Sequence, residues 1–257
     1  MLSFLKKYIL IFTMLTGSIS AIEIENLSHA VDVAGKQRMF TQRMLKDYAM
    51  VGMGNSFGKP DEDLKKIMDK FENHLKSLHN YTKNRKIKKS TAQIKKRWLK
   101  IKKTLKAKPD KKNVGKLQED LELLLKESNR TTELFAKDTG KVSGEIINIS
   151  GRQRMLSQRM ASLYMLKVWG VDDKKFKEKM NDSMELFKLS LERLKKSELN
   201  TDEIEKLLAK VEKSFMFFEV MNRSSNIFIP TLIYKKSNDI LKNMNSATKL
   251  YVTVNKK

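Results

Sequence analysis

A ten-residue stretch that occurs twice constrains this chain more than any other feature. Residues 35–44 read GKQRMFTQRM, and residues 151–160 read GRQRMLSQRM. Seven positions are identical, and the three differences (Lys/Arg, Phe/Leu and Thr/Ser) are conservative. Two copies this similar predict an internal duplication, with the chain divided into two related units.

Further matches occur at the same spacing of 116 residues. They pair Tyr48 with Tyr164, Phe71 with Phe187, Leu75 with Leu191 and Leu78 with Leu194. Later in the chain the register drifts, and Ser128-Asn129 and Ser237-Asn238 take similar positions in their units. The duplication therefore extends well past the ten-residue stretch.

The chain is predicted to be all-α, because Gly (10) and Pro (3) are few and apolar residues recur at helical spacing. The predicted helices cover about 23–53, 61–81, 91–106 and 113–137, then 142–169, 173–195, 201–221 and 224–254. Each set of four suits a four-helix bundle, so we expect one module at 22–138 and a second at 139–257. Asp61 or Asp63, Ser90 and Ser143 are the expected helix starts, and Pro230 should kink the last helix.

The segment around Gly140 decides how the modules meet. If Gly140 ends a helix in a turn, the modules lie side by side with pseudo-two-fold symmetry and both copies of the repeat are at the same height. If one helix runs through from 113 to 169, the modules stack end to end. A glycine inside a helix costs roughly 1 kcal/mol relative to alanine, which favours the turn.

The N-terminus has the pattern of a secretory signal peptide. Lys6 and Lys7 precede the apolar run YILIFTMLT, and small residues follow at 18–21. The run is short for a membrane anchor. We therefore expect residues 1–21 to direct export to the periplasm, and the absence of cysteine excludes disulfides and covalently attached haem.

Positive charge dominates the chain, with a formal net charge of +23 and fifteen Lys or Arg within 83–112. Export argues against nucleic acid as the partner. A solvated lysine-rich face is one interpretation, and attraction to anionic lipid or to an acidic protein is the other.

The two arginines at 38 and 154 are the candidate binding residues. Each lies on the heptad face of its predicted helix among small neighbours, Ala34 and Thr41 around Arg38, and Ser150 and Ser157 around Arg154. Gly35 and Gly151 lie one turn earlier, where a glycine allows close approach to the backbone.

Two interpretations of these arginines stay open. They either form a cationic pocket between two helices or pair with acids such as Glu119, Glu122, Asp138 or Glu185. In such a pocket, Gln37, Gln153, Gln42 and Gln158 either orient the arginines or donate to a ligand. Arg43 and Arg159 lie on a different face, and the methionines of the repeat are expected in the core. The histidines at 29, 74 and 79 are scattered and predict neither a metal site nor an enzyme.

The repeat and its flanks, residues 31–44 and 147–160, resemble the first-helix signature of the PilJ-type sensor domain, the N-terminal domain of type IV pilus methyl-accepting transducers. They are also similar to the Gly-x-x-Arg-Met-x-Ser-x-Arg pattern of the nitrate/nitrite sensor kinases NarX and NarQ. The resemblance implies a periplasmic four-helix bundle in which some members bind nitrate or nitrite between two first helices.

Carried to this chain, the resemblance implies ligand contacts from Arg38 and Arg154, with the backbone of Gly35 and Gly151 lining the site. Relatives usually have one domain per chain and dimerise, whereas here we expect either a monomer with an internal pseudo-dimer or a homodimer. We therefore expect a non-enzymatic, cofactor-free binding protein for a small oxyanion that presents its ligand state to a membrane-bound sensor or transporter. The alternative is a ligand-free interaction module whose basic face docks on anionic membrane or an acidic protein.

Overall fold

The computed structural model describes residues 22–223 and 229–254, and the predicted leader at 1–21 lies outside them. The described part is all helical, as predicted. Its eight helices are α1 Leu27–Gly52, α2 Pro60–Tyr81, α3 Arg85–Lys106, α4 Val114–Asp138, α5 Val142–Val168, α6 Phe176–Lys195, α7 Asp202–Arg223 and α8 Pro230–Val254.

The turn at Gly140 is confirmed. Helix α4 ends at Asp138, and Gly140 takes a left-handed conformation with φ 61° and donates its N–H to the Lys137 carbonyl. This is the usual way for a glycine to end a helix. The chain therefore reverses, and α5 packs along α1 rather than continuing α4.

Three expected helix starts were wrong. Pro60 begins α2 after Lys59, so Asp61 and Asp63 lie in the first turn rather than at the cap. There their carboxylates face the positive end of the helix dipole. Helix α5 begins at Val142 after Lys141, one residue before the expected start at Ser143.

The third helix also begins earlier than predicted. Asn84 accepts a hydrogen bond from the Lys86 backbone N–H and starts α3 at Arg85, so residues 85–90, which were predicted to precede this helix, are helical. Ser90 instead lies inside the bundle, with its hydroxyl 2.7 Å from that of Thr131.

Pro230 does not kink a helix in the described structure, because it is the first residue of α8. Proline suits this position, where its missing N–H would have no intrahelical partner. The predicted extension of this helix over 224–228 lies outside the described residues.

Helices α1 and α5 form the centre of the molecule. Helix α1 packs against α2, α4 and α5, and α5 packs against α6 and α8, while α3 and α7 complete the two bundles. Both central helices are buried on nearly every side. Polar side chains on them are therefore buried too and need partners inside the protein. Met39, Met44, Met155 and Met160 lie in the core as predicted.

Candidate functional site between the two central helices

The central helices come closest at the glycines of the repeat. A Cβ added to Gly151 would lie 3.7 Å from the Cα of Gly35, and one added to Gly35 would lie 3.8 Å from the Cα of Gly151. The two copies therefore meet within one chain and at the same height. The close approach depends on the lack of side chains at both positions.

Both candidate arginines surround this glycine contact. The Cβ of a residue at 151 would lie 3.0 Å from Nη2 of Arg38 and 3.1 Å from Nη2 of Arg154. At position 35 the corresponding distances are 3.4 Å and 3.2 Å. The two guanidinium groups are thus neighbours, and both arginine residues are fully buried.

Arg38 reaches from α1 to polar groups on α4 and α5. Its Nη1 donates to Oδ1 of Asn129 and to Oδ1 of Asn148, each at 2.8 Å, and its Nη2 donates to the Asn148 carbonyl at 3.0 Å. Within the described residues no carboxylate lies within 4.0 Å of it. Arg38 is therefore a buried cation held by neutral groups.

Arg154 makes the equivalent contacts from α5, with one difference. Its Nη1 donates to Oδ1 of Asn245 on α8 at 3.1 Å, and its Nη2 donates to the Asp32 carbonyl at 3.4 Å. It also forms an ion pair with Asp32, at 2.7 Å from Nη1 to Oδ1. The acids suggested by the sequence, Glu119, Glu122, Asp138 and Glu185, are not its partners.

The site is pseudo-symmetric, because its partners also repeat at the spacing of 116 residues. Asn129 corresponds to Asn245, and Asp32 corresponds to Asn148. The earlier match of Ser128-Asn129 with Ser237-Asn238 was wrong, since Asn245 is the residue that contacts the second arginine. Among the residues that contact the arginines, the change from Asp32 to Asn148 breaks the charge symmetry.

Burial disfavours the charge of Arg38. Burial, followed by the nearby charges of Arg152 and Arg154, lowers the pKa of Arg38 to about 9. Burial alone would raise the pKa of Asp32, but Arg154 and Lys36 outweigh it and lower that pKa to about 2. The buried Nε atoms of Arg38 and Arg154 have no hydrogen-bond partner among the described residues.

The glutamines proposed to orient the arginines have other partners. Nε2 of Gln37 donates to the Phe71 carbonyl at 3.1 Å, and Nε2 of Gln153 donates to the Phe187 carbonyl at 2.9 Å. These bonds tie α1 to α2 and α5 to α6. Gln42 donates to Glu122 on α4.

The small residues beside the arginines support the helix backbone. The hydroxyls of Thr41 and Ser157 donate to the carbonyls of Arg38 and Arg154 at 2.8 Å and 2.9 Å. The Ser150 hydroxyl lies 2.5 Å from that of Thr248 on α8, and Ala34 is buried.

A third buried cation, Lys46, was not predicted from the sequence. Its Nζ donates to Gln158 at 2.8 Å and to Asn238 at 3.0 Å, and lies 4.1 Å from the centre of the Tyr234 ring. Burial lowers its pKa to about 8. Its counterpart in the second unit is Ser162. Lysine on a buried face has no special sequence signal, so only the fold reveals this link between the modules.

Arg43 and Arg159 have different ion-pair partners although they are equivalent in the repeat. Arg43 binds Asp63 on α2 through two hydrogen bonds of 2.7 Å and 2.8 Å. Arg159 reaches Glu122 on α4 at 2.8 Å, and so connects the two modules. Neither contacts the glycine crossing.

Comparison with known protein families matches residues 22–123 and 139–219 to PilJ, the N-terminal domain of type IV pili methyl-accepting chemotaxis transducers. The chain belongs to the PilJ family. It matches the family twice, in agreement with the tandem arrangement of its helices. No curated protein and no solved structure matches the chain.

PilJ domains are periplasmic sensing domains of chemotaxis transducers and are sensory rather than catalytic. In this PilJ protein, no group of three metal-ligating side chains occurs among the described residues. None of the helices at 22–223 and 229–254 is long and apolar enough to cross a membrane. Because the family is sensory, the contact between the two central helices is the candidate ligand site.

Proposed function

We propose that this protein is a periplasmic sensory protein that binds a small oxyanion, nitrate or nitrite first, between Arg38 and Arg154. The observation that supports this most is the pair of neighbouring, fully buried guanidinium groups, one of which has no carboxylate partner among the described residues. A buried cation that is held only by neutral groups gains most from an added anion.

The chemistry of the arginines suits a flat oxyanion. Guanidinium is planar, permanently charged and weakly hydrated, and it binds planar acceptors through parallel hydrogen bonds. Nitrate is a planar monoanion with three acceptor oxygens. The unpartnered Nε atoms are donors that such a ligand would satisfy.

Binding at this position would bias how α1 and α5 pack. The guanidinium groups now lie against Gly35 and Gly151, so an anion between them requires the central helices to shift. A ligand changes an equilibrium only by binding one arrangement better than the other. We infer that a membrane-bound sensor or transporter reads this shift.

Calorimetric titration of the mature protein with nitrate, nitrite and phosphate tests the proposal. We expect binding of nitrate or nitrite, and a loss of at least tenfold in affinity in Arg38→Gln and in Arg154→Gln. Circular dichroism shows whether each variant is folded. If none of the anions binds at millimolar concentration, or if both folded variants bind normally, the proposal is wrong.

Gly151→Ala provides a test that retains both arginines. Its methyl group would occupy the space beside both Nη2 atoms and should weaken anion binding. Gly115→Ala is the matched control, because nothing lies within 4 Å of the added methyl on α4. Equal affinity in the two variants would contradict a site at the glycine crossing.

The outer face of α3 supports the second candidate, docking on an anionic membrane. Helix α3 contains no acidic residue, and Lys95, Lys96 and Lys103 are exposed beside Leu99, which is 54% exposed. Basic residues near an anionic surface contribute about 1 kcal/mol each. Salt-sensitive sedimentation with phosphatidylserine vesicles, lost in Lys95→Gln/Lys96→Gln/Lys103→Gln, would support this function, and sedimentation unaffected by the substitutions would exclude it.

A further inference from the structure

A separate cleft opens between α1, α2 and the C-terminal part of α8. It has a volume of about 610 Å³, which is within the range of small-molecule sites. Neither Arg38 nor Arg154 lines this cleft, although two of its lining residues, Asp32 and Asn245, contact Arg154.

Four cationic side chains line the cleft. They are Lys36 and Arg43 of α1, Lys70 of α2 and Lys249 of α8. Lys36 is engaged by Asp32 at 2.6 Å, but Lys70 and Lys249 form no ion pair with any described residue. Burial and then the charges of Lys66 and Arg43 lower the pKa of Lys70. An anion bound beside Lys70 would offset this repulsion.

A buried histidine lines the same cleft without a polar partner. The residue His74 is 9% exposed, and its buried Nδ1 has no hydrogen-bond partner among the described residues. Its ring packs edge-on against Phe40, with 5.2 Å between the ring centres. Buried polar atoms normally have partners, so the free nitrogen indicates a missing one.

The rest of the lining is apolar. Met39, Phe40 and Ile67 are buried core residues with a surface facing the cleft, and Val252 closes it from α8. Inorganic anions gain nothing from such a surface, whereas a ligand with a hydrocarbon or aromatic body does. The combination suits an amphipathic organic anion.

The second unit lacks this combination at its equivalent positions. Lys70 corresponds to Leu186, and His74 corresponds to Ser190. Lys249 of α8 corresponds to Glu133 of α4. Lys70, Lys249 and His74 are therefore specific to one unit of the duplicated fold, whereas Lys36 and Arg43 have cationic counterparts in Arg152 and Arg159.

We propose that this cleft is a binding site for a small organic carboxylate. The apolar body packs on Phe40 and Ile67, the carboxylate lies between Lys70 and Lys249, and His74 supplies a hydrogen bond. The acids of the lining, Glu25 and Asp32, limit the site to ligands of low negative charge. This inference is independent of oxyanion binding at the arginines.

Fluorescence titration with 1-anilinonaphthalene-8-sulfonate, an amphipathic anion, tests the site in the full mature chain. We expect saturable binding of one probe per chain and displacement by benzoate. Benzyl alcohol, which lacks the charge, and sulfate, which lacks the apolar body, should not displace it at the same concentration. Nitrate should not displace it either, which separates this site from the arginine pair.

Lys70→Gln/Lys249→Gln should weaken the probe about tenfold, as expected for the loss of two charge contacts worth about threefold each. Both lysines are exposed, so the variant should fold normally. The control, Lys206→Gln/Lys210→Gln, removes two exposed charges from α7 and should bind as the unmodified protein does. Absence of saturable binding, displacement by nitrate, or equal affinity in the two double variants would overturn the inference.

Discussion

Arg38 and Arg154 occupy equivalent positions in the two units, yet within residues 22–223 and 229–254 only Arg154 has a carboxylate partner. The difference comes from one pair of residues, Asp32 in the first unit and Asn148 in the second. Aspartate and asparagine have nearly the same shape. The two positions can therefore be exchanged chemically with little change in packing, which isolates the effect of the charge.

Asp32→Asn should lower the free energy of unfolding at pH 7 by about 2 kcal/mol, because the pKa of Asp32 is lowered to about 2 from 3.8. A lowered carboxyl pKa stabilises the fold above the ordinary value, and this stabilisation is lost as the pH falls from about 4 toward 2. Urea denaturation between pH 7 and pH 3 should show a weaker pH dependence in the variant. An unchanged pH dependence would contradict the assignment.

Asn148→Asp should have the opposite effect, because it gives the buried Arg38 a carboxylate at a position now 2.8 Å from its Nη1. We expect the free energy of unfolding at pH 7 to rise by about 1–2 kcal/mol in the same urea measurement. The new carboxylate should also compete with any oxyanion, so that nitrate affinity falls as stability rises. Destabilisation by both substitutions would show that charge pairing does not control this site.

Gly151→Ala tests the closeness of the helix crossing. The added methyl would lie 3.0 Å and 3.1 Å from two guanidinium nitrogens that are buried and hydrogen-bonded, so they cannot move aside freely. We expect thermal unfolding to show that the free energy of unfolding falls by about 1–3 kcal/mol. Gly115→Ala, where nothing lies within 4 Å of the added methyl on α4, should instead raise the free energy of unfolding by up to about 1 kcal/mol. If Gly115→Ala destabilised the protein as much as Gly151→Ala, the loss would not be specific to the helix crossing.

At this scale the sequence singled out Arg38, Arg154 and both glycines, which the structure brings together, but not the residues that contact the arginines. The arginines stand out because a charged residue recurs on an apolar face. Asn129 and Asn245 carry no such signal, since asparagine is common on exposed helix faces. Asn129 and Asn245 are nevertheless related by the same spacing of 116 residues as the two arginines.

At the scale of the helices, the sequence predicted the type and order of all eight elements. The errors lie at the helix ends. Helix α3 begins after Asn84 and α8 begins at Pro230, and neither start was predicted. Helix starts depend on which polar group satisfies the first free N–H groups, and several residues within one turn can do so. Periodicity, by contrast, extends over many residues and fixes the element itself.

Gly140 is the element boundary on which the side-by-side arrangement depends. It adopts φ 61°, and nothing lies within 4 Å of an added Cβ, so a substitution meets backbone strain and no steric clash. Gly140→Ala should lower the free energy of unfolding by about 1 kcal/mol. Gly140→Asn should cost less, because asparagine tolerates this conformation. Equal thermal stability of Gly140→Ala and the unmodified protein would contradict the turn.

At the scale of the whole molecule, the duplication turns a contact between two domains into the core of one chain. Helix α1 is buried between α2, α4 and α5, and its glycine face is occupied by α5. That face is therefore closed to a second molecule. The net charge also opposes self-association, since at +23 identical molecules repel each other at low ionic strength.

We therefore expect a monomer that binds one oxyanion per chain. Light scattering after size exclusion should give the mass of a single chain at micromolar concentration, in both low and moderate salt, and calorimetry with nitrate should give one site per chain. Both arginines of such a site come from the same molecule, so the affinity should not depend on protein concentration. A dimer with one anion per two chains would place the site between molecules and would contradict the internal pairing of Arg38 with Arg154.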